Sequence, residues 1–269
     1  MLRLPAVSGQ FYPANPQELT NCVRLFSKQA AHQNKKRVKA CLVPHAGYVY
    51  SGQVTGAVLG QIEIPQNVIV LGVRHFPRGE DAAIFGDGAW RTPLGDAQID
   101  SALANKLKAQ CALLKEDSVA HAQEHSLEVQ IPFLQVLRPN LQFVPIALGT
   151  TRFEDLQTIG EAIGQILSKS EDEILLLTTS DLNHYEDEVT TRRKDECAIA
   201  QLEEMNPRVL YDVCRTQSIS MCGLGPAVAM LFALKKFGAM HAETVMHTTS
   251  AEVSGDYRRV VGYAGMNFW

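Results

Sequence analysis

None of the six cysteines, at positions 22, 41, 111, 197, 214 and 222, stands in a C-x-x-C pair, and their spacing traces no disulfide framework. A strong excess of either charge is lacking too. Against 29 acidic residues there are 25 lysines and arginines, a net charge of −4, which gives no electrostatic case for nucleic acid or an anionic membrane surface. Long apolar runs are absent too. ILLL at 174–177 and LGPAVAMLFAL at 224–234 fall well short of the roughly 20 residues that span a bilayer. The first residues, MLRLPAVSGQFYP, lack the apolar core and cleavage pattern of a secretory signal. Internal repeats, low-complexity tracts and long Pro/Gly linkers are not found. The expectation is a cytoplasmic protein with reduced thiols and no membrane or nucleic-acid partner. Its 269 residues, 46% hydrophobic, can bury a full core without staples, and one domain over 1–269 is the simplest organisation. The basic cluster Lys35-Lys36-Arg37 with Lys39 reads as a solvated loop running into a strand.

What is present is an alternation of β-type apolar runs with helical patterns. Strands are predicted at 38–43, 68–73, 142–148 and 173–179, with a weaker one at 82–85 and two closing strands near 240–248 and 259–267. Helices are predicted at 51–62, 99–111, 124–137, around 192–204 and 207–215, and at 226–237, where Pro226 falls in the first turn and Gly238 just past the end. Thr151 and Glu154 form a capping-box signature for another helix running to about 168. The run 173–179 is apolar on both faces, as in a covered parallel sheet. The fold class is therefore α/β, with a mostly parallel or mixed sheet covered by helices.

Ligands of open α/β sheets bind at the carboxyl ends of strands. Three predicted strands end in a histidine there: His45 in PHAG, His75 after Arg74, and His184 in SDLNH. One such histidine is more often structural than functional; three in matching positions point to a convergent site. Gly47 suits a tight turn beside His45. Asp181, three residues before His184, is placed to fix that imidazole's tautomer or raise its basicity. Cys222 precedes a Gly-rich helix start, where backbone N–H groups and the helix dipole lower a thiol pKa, and a thiolate is a soft metal ligand. His121-x-x-Glu124-His125 matches the inverted zinc-peptidase motif in form, but the match is five residues long. Glu124 and Glu128 would share one face of the predicted 124–137 helix.

The motifs AVSGQFYPANPQEL, PHAGYVYSG, LGVRHF, RTPLGD, EHSLEVQIPFL, TSDLNHY, MCGLGPA and DYRRVVGYAG occur in order over nearly the whole chain. In this series the sequence resembles the Memo family, whose prokaryotic members are called AmmeMemoRadiSam system protein B. The family's fold is similar to the catalytic subunit of class III extradiol ring-cleaving dioxygenases, which use non-haem iron. The resemblance implies a metal site of His45, His75 and Cys222 holding iron(II) or copper. Asp181 and His184 would lie nearby, His184 where those dioxygenases keep an acid/base histidine. Glu124 and His125 fall on the family's E-H-S motif. The dioxygenases complete their site with a carboxylate where this chain has Cys222. Arg74 and Phe76, flanking His75, would bring a cation and a phenyl ring to the site. Two functions follow as expectations. One is a metal-dependent redox protein or oxidoreductase acting on a small molecule. The other is a binding module whose cleft, lined by Tyr48, Tyr50 and Tyr185, takes a small ligand or a peptide. A radical-SAM protein and an AMMECR-type protein are the implied functional neighbours.

Overall fold

The computed structural model describes residues 1–28, 35–171 and 173–269. Among these, twelve strands form one mixed sheet and nine α-helices pack on it. The strands are β1 (Leu2–Arg3), β2 (Ala40–Val43), β3 (Asn67–Val73), β4 (Ala82–Ile84), β5 (Ala89–Thr92), β6 (Gly95–Ile99), β7 (Lys115–Glu116), β8 (Gln142–Leu148), β9 (Ile174–Thr179), β10 (His184–Glu186), β11 (Ala242–Thr249) and β12 (Val260–Phe268). The helices are α1 (Pro16–Lys28), α2 (Tyr48–Gly60), α3 (Ser101–Gln110), α4 (Ile131–Leu137), α5 (Phe153–Lys169), α6 (Glu188–Glu203), α7 (Pro207–Thr216), α8 (Leu224–Phe237) and α9 (Ala251–Ser254).

The central path runs β1-β5-β6-β8-β3-β9-β2-β12-β10, with β11 paired to β12. Strands β8, β3, β9 and β2 are mutually parallel, and β12 closes antiparallel on β2. β9 is buried at every position, as its two-sided apolar sequence requires. One core lies between the sheet and α3, α5 and α8; the other lies under α1, α2 and α4. The strands that end in histidine or the SDLNH loop, β3, β9 and β2, are neighbours in that order. Their loops therefore emerge side by side at one sheet edge.

Several expectations shift. The predicted helix over 124–137 is a loop, a 3-10 turn at Glu128–Gln130, and α4 only from Ile131. Glu124 folds its carboxylate onto its own chain at the Ser126 N–H (2.8 Å), an alternative to helical bonding, and Pro132 sits at the first turn of α4. Ile99 ends β6, and Asp100 caps α3 by accepting from the Leu103 N–H. The Thr151/Glu154 capping box does not form. Arg152 is the N-cap of α5, and Thr150 Oγ1 holds the turn by accepting from the Arg152 N–H and bonding Asp155. α8 ends as expected at a left-handed Gly238, φ 77°. Gly47 is the N-cap of α2 at φ −58°, an ordinary conformation, so its glycine is not demanded by a left-handed turn. Lys35, Lys36 and Arg37 are solvent-exposed, with Lys36 paired to Glu243 and Arg37 to Glu63 and Glu173, whereas Lys39 is half-buried and donates to the Phe237 and Gly238 carbonyls. No described helix is long and apolar enough to cross a membrane.

Candidate metal centre

His45 follows β2 and is almost completely buried. Its backbone N–H donates to Asp181 Oδ1 (2.8 Å), and its ring Nδ1 meets Thr179 Oγ1 at 2.9 Å. His75 follows β3. Its N–H donates to Glu124 Oε2 (2.6 Å), and its Nδ1 meets Glu124 Oε1 at 2.9 Å. In both rings Nδ1 is tied to an oxygen, which leaves Nε2 to face inward. His125 stacks on His75, ring centroids 4.6 Å apart and planes 15° from parallel, and Phe11 packs near it at 4.9 Å. His45 stands nearly perpendicular to both. One ring nitrogen from each of His45, His75 and His125 lies within 4.8 Å of the others, a spacing that could hold a metal ion. Oxygen-tied imidazoles are the usual form of metal-ligating histidine.

Electrostatics point the same way. Burial, with the neighbouring His75 and His125, holds the His45 pKa well below that of a free imidazole. Burial also lowers His125, against the pull of Glu124. Both are therefore neutral at physiological pH, the protonation state that ligates. The Glu124 carboxylate is fully buried. Desolvation pushes its pKa up, but the hydrogen bonds and charge of His75 and the Ser126 amide outweigh that and bring it to about 2. It is an anion that faces two of the three rings. Gly72 on β3 makes room for this loop, since a Cβ there would stand 2.8 Å from Ser126 Oγ.

Cys222 Sγ lies 3.1 Å from His45 Nε2, at the edge of this group rather than within it. The expected thiol activation is reversed. Burial first, and the Asp181 charge second, push its pKa up more strongly than the Gly223 amide and Ser180 lower it. Asp181 also departs from expectation. It accepts from the His45 amide and makes no hydrogen bond to the His184 ring, which is instead fixed by its Nδ1 donating to the Ser220 carbonyl (2.9 Å). Arg74 is turned away from the site, with its guanidinium on the Gly79 carbonyl and Asp81. Phe76, Tyr50 and Tyr185 are exposed at 40%, 38% and 64%. Tyr48 is buried, with its hydroxyl on the Val129 carbonyl, and does not line a cleft.

His121 takes no part. It is fully buried among Phe85 and Trp90, so the peptidase motif does not assemble. Glu128 faces the other way from Glu124. It binds the N-terminal segment through Arg3 (2.6 Å), the Ala6 and Val7 amides and the Tyr12 hydroxyl. Tyr263, on β12, joins the site from the strand that pairs antiparallel with β2. It is nearly buried, and Asp181, Tyr50, Tyr185 and Cys222 all act on its hydroxyl, whose pKa is raised first by burial. Its only signal is its place in the DYRRVVGYAG motif. A cavity of about 420 Å³ opens near Asn67, Asp100 and Gln142 at the opposite strand ends; no histidine or cysteine lines it.

The fold and site define an α/β protein with a histidine-rich centre at the carboxyl ends of adjacent parallel strands. The chain belongs to the Memo family: the Memo-like protein family model matches residues 3–267. It is 36% identical to a MEMO1 family protein of Methanopyrus kandleri, over 100% of this chain and 99% of that one. It is 37% identical to one of Aquifex aeolicus, over 99% of each. Among solved structures, an uncharacterized Escherichia coli K12 protein, JW3007, matches with a TM-score of 0.53 and 13% identity, covering 84% of this chain and 99% of that one. That likeness is one of fold alone.

Proposed function

We propose that the protein is a metal-dependent redox protein or oxidoreductase of the single-domain Memo type, acting on a small molecule. His45 and His75 would hold iron(II) or copper, with Cys222 and His125 as the further donors. The supporting observation is the convergence of three imidazole nitrogens within 4.8 Å, two of them on rings whose other nitrogen is tied to an oxygen. Imidazole suits iron, copper and zinc alike; a thiolate beside it favours the softer ions. A bound iron or copper ion would supply one-electron redox chemistry. Glu124 would hold His75 and charge-balance the centre. Asp181 would fix the His45 backbone. His184, with Nδ1–H donated to Ser220, presents Nε2 as a base and would move a proton to or from the ligand. The protonated Tyr263 hydroxyl would donate to a ligand oxygen.

Elemental analysis of anaerobically purified protein tests this, with one metal per chain expected and lost in the His45→Ala/Cys222→Ser double variant. Unchanged stoichiometry in that variant would sink the centre. X-ray absorption on the loaded protein distinguishes the donors: sulfur scattering that vanishes in Cys222→Ser makes the thiolate a ligand.

The exposed Phe76, Tyr50 and Tyr185 favour one alternative, a cleft that binds a small ligand or a peptide of a partner protein without turnover. Radical-SAM and AMMECR-type proteins are the partners to try. Binding that survives chelation and His184→Ala would select it.

A further inference from the structure

Behind the site, a buried carboxylate and a second histidine brace the loop that carries His184. Asp195, on α6, is fully buried. Its Oδ1 accepts the Asn183 N–H at 2.9 Å, and its Oδ2 meets His247 Nε2, from β11, at 3.0 Å. The backbone opposite is shaped for it. A Cβ on Gly262 of β12 would stand 1.8 Å from Asp195 Oδ2, so only glycine admits the carboxylate. Gly262 in turn pairs with the loop, its N–H donating to the Asn183 carbonyl (2.9 Å) and its carbonyl accepting from Leu182 (2.8 Å). Asn183 is also fully buried. Its side-chain oxygen accepts the Ser220 N–H at 3.1 Å, and Ser220 Oγ accepts the His184 N–H at 2.8 Å. The same Ser220 supplies the carbonyl that holds His184 Nδ1. A continuous set of contacts therefore runs His247–Asp195–Asn183–Ser220–His184.

We infer that Asp195 and His247 form a positioning pair for His184: they fix Asn183, hence Ser220, and so hold the His184 imidazole in its Nδ1–H tautomer with Nε2 toward the metal centre. Two features separate this from ordinary packing. Asp195 is a carboxylate taken out of water, and such a group is retained where its hydrogen bonds define geometry that an apolar residue could not. The contacts also reach only one of the site's four imidazoles. His45, His75 and His125 are tied by Thr179, Glu124 and the stacking of rings, none of which touches Asp195. Neither residue would touch substrate or metal, and the backbone link at Asn183 cannot carry a proton, so the pair orients and does not relay.

The functional sense of this inference rests on the proton-transfer role proposed for His184, but its test does not. Long-range ¹H–¹⁵N spectra of the metal-free protein report the tautomer and the Nδ1–H exchange rate of each histidine. In the wild type His184 should show the fixed Nδ1–H pattern. In His247→Phe and Asp195→Ala that pattern should average between tautomers, with Nδ1–H exchange faster by about tenfold or more, while His45, His75 and His125 keep theirs. His247→Gln, whose amide can still donate to Asp195, should restore the wild-type His184 signal. Because Asp195→Ala removes a buried charge and endangers the fold, the two His247 variants carry the test without it. A His184 signal unchanged in folded His247→Phe overturns the inference. So does an equal change in all four histidines, or a failure of glutamine to rescue. Metal stoichiometry read on the same samples is a separate outcome: its loss or absence bears on the centre, not on the positioning pair.

Discussion

His121 supplies a perturbation whose size follows from its surroundings. The ring is fully buried against Phe85 and Trp90. Nε2 reaches only the Ala83 carbonyl at 3.3 Å, and Nδ1 has no partner among the described residues. Burial, and then the charge of Arg3, lower its pKa to about 4. An unfolded histidine titrates at about 6.5. The folded value is the depressed one, so the native state resists a proton that the unfolded state accepts. Stability is therefore full above pH 6.5 and is lost as the pH falls toward 4. The loss is about 2 kcal/mol by pH 5 and about 3 kcal/mol by pH 4. The assay is urea denaturation of wild type and His121→Phe at intervals from pH 7.5 to 4. The substitution has a packing cost of its own, but that cost does not vary with pH. The wild-type-minus-variant difference should therefore fall by about 2 kcal/mol from pH 7 to pH 5. A difference flat to about 0.5 kcal/mol would refute the reasoning, since it would mean that His121 titrates as if in water. Arg3 Nε donates to the His121 carbonyl and its Nη2 to the Glu124 carbonyl, so the same acid range should loosen the N-terminal segment from the 124–128 loop.

Three other perturbations test the scaffold of the centre. Glu124→Gln replaces an anion that accepts from two amides and an imidazole with a group whose NH₂ must face one of those donors. It should cost about 2–4 kcal/mol in denaturation and lower metal affinity about 10- to 100-fold by titration. Glu128→Ala leaves the Arg3 guanidinium buried and unpaired, since both side chains of the pair are almost fully buried. A loss of about 3–5 kcal/mol is expected by denaturation, with faster proteolysis of residues before Tyr12. Gly72→Ala places a methyl 2.8 Å from Ser126 Oγ and 2.9 Å from Leu127 Cγ. It should shift the 124–127 loop, cost about 1–3 kcal/mol in denaturation and reduce metal affinity by titration.

The parallel strands were legible because each is a short apolar run that ends at a polar loop. The predicted 68–73, 142–148 and 173–179 match β3, β8 and β9 to within a residue. Since ligands gather at strand carboxyl ends, the loops of His45, His75 and His184 could be grouped from the sequence. The short edge strands β1, β5 and β6 carry mixed polar patterns with no period to read. The segment 124–130 misled for a physical reason. EHSLEVQ has helix-forming residues, yet three of its side chains are bound to other elements: Glu124 to His75, Glu128 to the N-terminal segment, and Gln130 to the Pro44 carbonyl. Tertiary partners decided that backbone, and local propensity could not reveal them.

That same segment explains why His125 was legible as a site residue but not as a member of the nitrogen group. On a helix it would have pointed away from Glu124's partner; in the loop both face the end of β3. Glu124 then acts on two rings at once, bonding His75 Nδ1 at 2.9 Å and standing 3.8 Å from His125 Nδ1. Asp181 plays the matching part at β2, where it fixes the His45 amide, and Asp195 does so for the loop after β9. Each of the three adjacent strand ends thus has its own buried carboxylate, and each carboxylate accepts a backbone N–H. A centre built this way tolerates little movement of its histidines. With Cys222 as the further donor proposed above, the choice of metal would turn on the one such group that no carboxylate holds, so the spectrum of Cys222→Ser carries more weight than any single histidine variant.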